Sequence, residues 1–333
     1  MDAWRTTLVT VVFEPEAGLL DLQARSIAAH VPTDLVAEVV VIDNGWRRMS
    51  DRRRSSLRAL YGDHADRVRF VRASGLVPVP AAGGWAVQQI LKLEIARTIT
   101  TPTYLVLDAK NHFVAPLHRE HLVDASGRPF VDAYSFRDHP HRQRLERVLR
   151  FAGLDPDDHL DRFTATVTPF LLERAQVLRA MALVAQGRDD FAAAFVAHGL
   201  TEFFLYSASV LADGEDLQDR FALRAQQAST VWPAQVDPAS VAALAAAVRE
   251  RGGPVFSVHR DAFAVLPTAS QELLVDLWTA AGLFADRTSA AQQLRRVTRQ
   301  TRRARTHKLA GRAVNSVRSR VPRRTVRDGV AGA

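Results

Sequence analysis

Three short apolar runs limit what this chain can fold into. Leu8–Phe13 (LVTVVF), Glu38–Ile42 (EVVVI) and Tyr104–Leu107 (YLVL) are rich in β-branched residues and almost free of polar ones. Runs of this kind, without polar alternation, suit strands buried on both faces. Helical spacing fills the chain between them. Leu19, Leu22, Ile27 and Ala28 follow the first run, and Val87, Ile90, Leu91, Leu93, Glu94 and Ile95 recur within Trp85–Ile99 before the third. Pro102 stops that second helix, and Arg67–Val71 (RVRFV) adds a strand ahead of a loop from Ala73 to Gly84. The order strand, helix, strand, loop, helix, strand predicts an α/β fold. Its sheet is mostly parallel, covered on both faces and joined by right-handed crossovers.

The second half carries weaker signals. Helices are expected at His139–Arg150, Leu171–Ala185, Phe191–Leu211, Ala239–Arg249 and Ser270–Leu283, with extended segments at Asp161–Phe170 and Pro254–Val258. From Arg287 no apolar face persists, and Gly311 and Pro322 interrupt any helix that starts there. The segments 1–130, 131–285 and 286–333 are therefore read as two halves of one domain and a mobile basic tail.

Charge divides the same way. Residues 1–285 hold 30 Lys+Arg against 34 Asp+Glu, and residues 286–333 hold 14 against 2. The overall charge of +8 belongs to the tail. The body gives no reason to expect nucleic-acid binding, whereas the tail suits an anionic membrane surface. Cysteine is absent, which excludes disulfides, thiolate nucleophiles and cysteine-ligated metals. No run of 18 apolar residues occurs, and the N-terminus reads as a first strand rather than a signal peptide. The expected location is the cytoplasm, with the tail touching the inner face of the cell membrane.

The chain has no GxxxxGK[ST] loop, no GxGxxG after the first strand, no HExxH and no GxSxG. Candidate chemistry gathers instead at the carboxyl ends of the apolar strands, where open parallel sheets bind ligands. Glu14 follows the first strand, Asp43 and Asn44 the second, and Asp108, Lys110, Asn111 and His112 the YLVL strand. An acid there suits a ribose hydroxyl, a base edge or a metal, and it also suits capping of its own turn. Gln88, Gln89 and Lys92 lie on the preceding helix, with 88 and 92 one turn apart on one face. They fit a base, sugar or phosphate, or a plain solvated face. Glu202 and Tyr206 share a helix face with apolar neighbours, a setting that raises a carboxylate's pKa and suits a general base, or equally a pairing with one of the many arginines. His259 follows the Pro254–Val258 strand and suits a metal, a phosphate or simple packing.

Taken together, GGWAVQQILKLEIA (83–96), YLVLDAKNHFV (104–114), VTPFLL (167–172), TEFFLY (201–206) and SVHR (257–260) resemble a bacterial family of DUF6492-type proteins. That family is similar to GT-A glycosyltransferases of surface or capsular polysaccharide synthesis. The resemblance covers residues 5–285 and implies a GT-A-like fold with residues 1–130 as the nucleotide-sugar half. The region 131–285 would form the acceptor side.

The resemblance implies a UDP- or GDP-linked donor, a carbohydrate or glycolipid acceptor, and Mn2+ or Mg2+ on a strand-terminal DxD motif. That motif falls at Asp108–Ala109–Lys110, where a lysine replaces the second acid. Three outcomes follow. Asp108 holds a metal with Asn111 or His259 assisting, or Lys110 itself neutralises the diphosphate without metal, or binding remains without catalysis. Asp43, Asn44, Gln88, Gln89, Lys92, Asn111 and Tyr206 are then expected around the substrates, with Glu202 as the base for an acceptor hydroxyl.

Overall fold

The computed structural model describes residues 4–78, 83–186, 190–225 and 229–320, with side chains as far as residue 306. In chain order the first half runs β1 (Thr6–Val12), α1 (Ala17–His30), β2 (Val36–Asp43), α2 (Asp51–Leu60), β3 (Val68–Arg72), α3 (Gly84–Glu94), β4 (Thr103–Asp108) and β5 (Asn111–Phe113). Next come β6 (Phe130–Tyr134), α4 (Arg142–Phe151), β7 (Phe163–Thr164), β8 (Phe170–Glu173), α5 (Arg174–Ala185), α6 (Phe191–Ala197) and α7 (Glu202–Ala212). The chain closes with α8 (Leu217–Arg220), β9 (Ala222–Arg224), β10 (Ser229–Val231), α9 (Pro238–Glu250), β11 (Val255–Val258), α10 (Thr268–Ala280) and α11 (Arg287–Arg320).

The main sheet has the order β3-β2-β1-β4-β8. β1 pairs in parallel with β2 and β4, β2 pairs in parallel with β3, and only β8 runs antiparallel, against β4. The strand order reverses between β1 and β4. That crevice is where an open α/β sheet leaves room for a ligand.

Alternate residues of the strands feed two cores. Val9, Val11, Val40, Ile42, Tyr104 and Val106 face α3, α5 and α7. Leu8, Val12, Val39, Val41, Leu105 and Leu107 face α1, α9, α10 and α11. With both faces covered, apolar side chains at every position are satisfied, which is why these strands show no polar alternation.

Pairing joins the two halves of the chain. β8 completes the main sheet, and β11 pairs antiparallel with β5, setting Ser257 opposite Asn111. A third small sheet holds β7, β6 and β9.

Three elements differ from those expected. The very polar, arginine-rich segment Arg47–Arg58, for which the spacing predicts no element, contains helix α2, capped by Ser50 and hidden because Leu57 is its only buried residue. The run Phe191–Leu211 is two helices. Gly199 takes φ +60° and Thr201 is extended, so α7 starts afresh at Glu202. The third is the tail, since residues from Arg287 form α11. Its narrow stripe of Ala290, Leu294, Val297 and Thr301 is buried. Gln293 donates to Gly18 O at 2.6 Å, and Gly18 N donates to Gln300 Oε1 at 3.1 Å. A Cβ on Gly18 would overlap Gln300 Oε1 and stand 3.0 Å from Val297 Cγ2, so any larger residue would push both side chains aside.

Candidate active site

Asp108 is the last residue of β4 and pairs with Val11 of β1, at the mouth of the crevice. The turn that follows is fixed from several sides. Asp108 N donates to Asn111 Oδ1 at 2.7 Å. Asn111 Nδ2 donates to Ser257 Oγ at 2.8 Å and to Thr168 O at 3.3 Å. Gln23 of α1 donates to Asp108 O and Asn111 O, while its own Oε1 accepts from Thr10. Asn111 is fully buried and its amide fully engaged. It aims Asp108 and does not offer the ligand contact expected of it. His112 is also structural. Trp278 Nε1 donates to its Nε2 at 3.0 Å, so the ring proton sits on Nδ1, facing Lys110 O. Burial lowers its pKa to about 4.

Both oxygens of Asp108 carry an ammonium group. Lys92 Nζ lies 2.9 Å from Oδ1, and Lys110 Nζ donates to Oδ2. Lys92 also reaches Glu202 Oε1 at 3.4 Å and lies over the Phe203 ring. Glu202, the first residue of α7, is 4% exposed, and its Oε2 has no hydrogen-bond partner among the described residues. Its backbone N donates to Gln89 Oε1 at 3.1 Å, so Gln89 anchors α7 to α3.

Charge separates the two carboxylates. Burial pushes Glu202 upward, with Lys92 pulling back. Burial pushes Asp108 upward as well, but Lys110 and Lys92 outweigh it and hold Asp108 well below the usual carboxylate range. Burial alone would lower Lys92, yet Asp108 and Glu202 raise it above an ordinary lysine. One carboxylate is thus locked as a charge while the other is suited to take a proton.

A second wall of the site joins His259 to residues that drew no attention in the sequence. Arg260 Nη1 stands 3.5 Å from Glu16 Oε1 and its guanidinium covers the Phe13 ring. Burial pushes the Glu16 carboxyl up to about 7, Arg260 pulling it back and Asp108 adding to the rise. His259 caps the turn after β11 by accepting from Asp261 N through Nδ1, and its ring stacks on the half-exposed Trp232 at 4.9 Å. The Ser257–Asn111 register brings this wall beside Asp108 and Lys110. The SVHR block pointed to His259 and contained Arg260. Glu16 lies two residues past Glu14, which drew attention first. Trp232 carried no signal.

Other expected residues play different parts. Asp43 holds its own turn, with Oδ1 accepting from Gly45 N at 3.1 Å and Oδ2 from Met49 N at 2.7 Å, and Arg72 lies 3.2 Å from Oδ1. The capping reading accounts for all of these contacts. Asn44 is half-buried beside it, its N donating to Val12 O. Gln88 is half-buried on α3. Tyr206 is fully buried, and its hydroxyl accepts from Glu173 N of β8 at 3.2 Å.

The donor set around Asp108 is occupied by the protein's own groups. Both Asp108 oxygens are taken by ammonium groups, His259 Nδ1 is spent on a cap, and among the described residues no three His, Asp or Glu side chains converge.

The chain belongs to DUF6492, a family of unknown function, whose profile matches residues 64–245, more than half of its length. No curated protein matches it. Several solved structures are similar in fold. The galactosyltransferase LgtC in complex with donor and acceptor sugar analogues shares 14% identity over 83% of this chain and 95% of its own, with a TM-score of 0.45. An active-site mutant of LgtC shares 15% over 59% and 70%, with a TM-score of 0.36. The apo bifunctional glycosyltransferase WbbM shares 10% over 77% and 46%, with a TM-score of 0.39. At such identities these are likenesses of fold and say nothing of substrate.

Proposed function

We propose that this protein transfers a sugar from a UDP- or GDP-linked donor to a carbohydrate or glycolipid acceptor, without a divalent metal. One observation carries the reading. Asp108 stands at the crevice between β1 and β4 with a lysine on each oxygen and a raised carboxylate, Glu202, behind them. Asp108, locked as a charge, suits a ribose hydroxyl. Lys110 and Arg260 supply the positive charge that the departing diphosphate needs. The acceptor oxygen forms its bond to the anomeric carbon as the bond from that carbon to the phosphate oxygen breaks. The acceptor's proton passes to Glu202, and the nucleoside diphosphate leaves with the electron pair. Trp232 and His259 offer a flat apolar edge for a sugar or base.

The Asp108–Lys110 pair also favours a second reading, in which the site binds nucleotide or carbohydrate without turnover. One experiment separates the two. A panel of UDP- and GDP-sugars is incubated with wild type and Glu202→Gln, and nucleoside diphosphate release is followed. Release by wild type alone supports transfer. Nucleotide binding with no release from any donor supports the binding protein.

A further inference from the structure

The first half of α1, the length of α2 and the first turns of α11 enclose a surface recess of about 420 Å³. Arg25, Arg52, Arg53 and Arg296 line it against a single acid, Asp21. Asp21 has a 2% exposed side chain with a guanidinium near each oxygen, although Oδ2 accepts no hydrogen bond among the described residues. Arg53 donates to Oδ1, and Arg296 Nη1 lies 2.9 Å from Oδ2. The acid therefore holds two guanidiniums in place and leaves the recess with an excess of positive charge.

Two further features adjoin it. Helix α11 contains eleven Lys+Arg and no Asp or Glu between Arg287 and Arg320. Its apolar stripe is buried on the body, so Arg295, Arg299, Arg302, Arg303 and Arg305 are exposed. The loop entering α2 carries Trp46, 95% exposed, beside exposed Arg47 and Arg48.

We propose that this face docks on an anionic phospholipid bilayer. Guanidinium forks match phosphate oxygens, so the recess takes a lipid phosphate. The outer side of α11 lies along the charged headgroups, where each basic residue adds attraction. Trp46, whose indole is costly to leave in water, sits at headgroup level. A nucleic acid would meet the same arginines but gives Trp46 no apolar layer, and the body at residues 1–285 has more acids than bases. The N-terminal turns of α1 and α2 lie at the carboxyl ends of β1 and β2, the end of the sheet that holds Asp108. Docking does not depend on the proposed reaction.

The test uses the full chain and vesicles of phosphatidylcholine, alone or mixed with phosphatidylglycerol. The protein should sediment with the mixed vesicles only, release in high salt, and show a blue shift of tryptophan emission that Trp46→Ser reduces. Arg52→Glu, Arg299→Glu, Arg302→Glu and Arg303→Glu together spare the Asp21 pairs, and an unchanged melting curve would show that the fold is kept. Their combined loss should be about fivefold in partitioning for each arginine that reaches the surface. Equal binding to both vesicles, binding to neither, or unchanged binding by the quadruple variant would overturn the proposal. Tighter binding to duplex DNA, lost in the same variant, would replace the bilayer with nucleic acid. Nucleotide calorimetry on these variants should match wild type, so a failure here is distinct from a failure of the proposed transfer.

Discussion

Lys92 and Glu202 stand 3.4 Å apart, 110 residues apart in sequence, and Lys92 is the only link between Glu202 and Asp108 that the described hydrogen bonds provide. Burial makes this pair costly to break. Lys92→Met would leave Glu202 buried without a counter-charge and should cost about 3–5 kcal/mol. Lys92→Met combined with Glu202→Gln should recover a large part of that loss, because no charge is then stranded. Urea unfolding of the two variants measures the difference. Equal stability of both would mean that the ion pair does not hold α3 to α7.

Lys110 is the cation placed to meet a diphosphate, and it contributes little to the core. Lys110→Ala should weaken UDP or GDP binding by at least about tenfold, the worth of one charge-assisted hydrogen bond. Its thermal melting should stay close to wild type. Calorimetry beside a melting curve distinguishes this from a general loss of fold.

Glu16 gives the site a pH dependence with a defined sign. Its carboxyl is pushed up to about 7 from an ordinary value of 4.5. Below 4.5 the group is protonated in both folded and unfolded chains. Between 4.5 and about 7 the folded chain binds more protons, so its contribution to stability falls as pH rises. Above about 7 Glu16 is charged and competes with bound phosphate for Arg260. Nucleotide affinity should therefore weaken as pH passes upward through about 7, and Glu16→Gln should flatten that part of the profile.

Helix α11 is part of the folded body. Leu294→Ala should cost about 2–4 kcal/mol, as for other buried leucines. Ending the chain at Asp286 should lower the melting temperature, whereas a mobile tail would be removable without effect. Differential scanning calorimetry of the truncated and full chains decides.

The main sheet was legible because burial on both faces writes unbroken apolar runs into β1, β2 and β4. Its antiparallel edge was less so, since β8 is four residues long and merges with the helical pattern of α5. Helix α11 was missed because half of its buried face is polar, with Gln293, Thr298 and Thr301 beside Ala290, Leu294 and Val297. Asp108, Lys110 and His259 were singled out at strand ends, Lys92 on its helix and Glu202 through the resemblance, and the fold brings Asp108, Lys110, Lys92 and Glu202 into contact. Gln89 and Asn111 were picked out for polarity, but polarity does not tell a ligand contact from a buried brace. Arg260 and Glu16 meet only through tertiary packing of the turn after β11 on the turn after β1, a contact between positions 244 residues apart.

The most direct test is calorimetric titration of UDP and of GDP into wild type and Asp108→Asn, in EDTA and then in manganese. Heat with one nucleotide, equal with and without manganese and lost in Asp108→Asn, is the predicted result. Binding that requires manganese, heat indifferent to Asp108, or no heat with either nucleotide would contradict a metal-free nucleotide-sugar site at the end of β4.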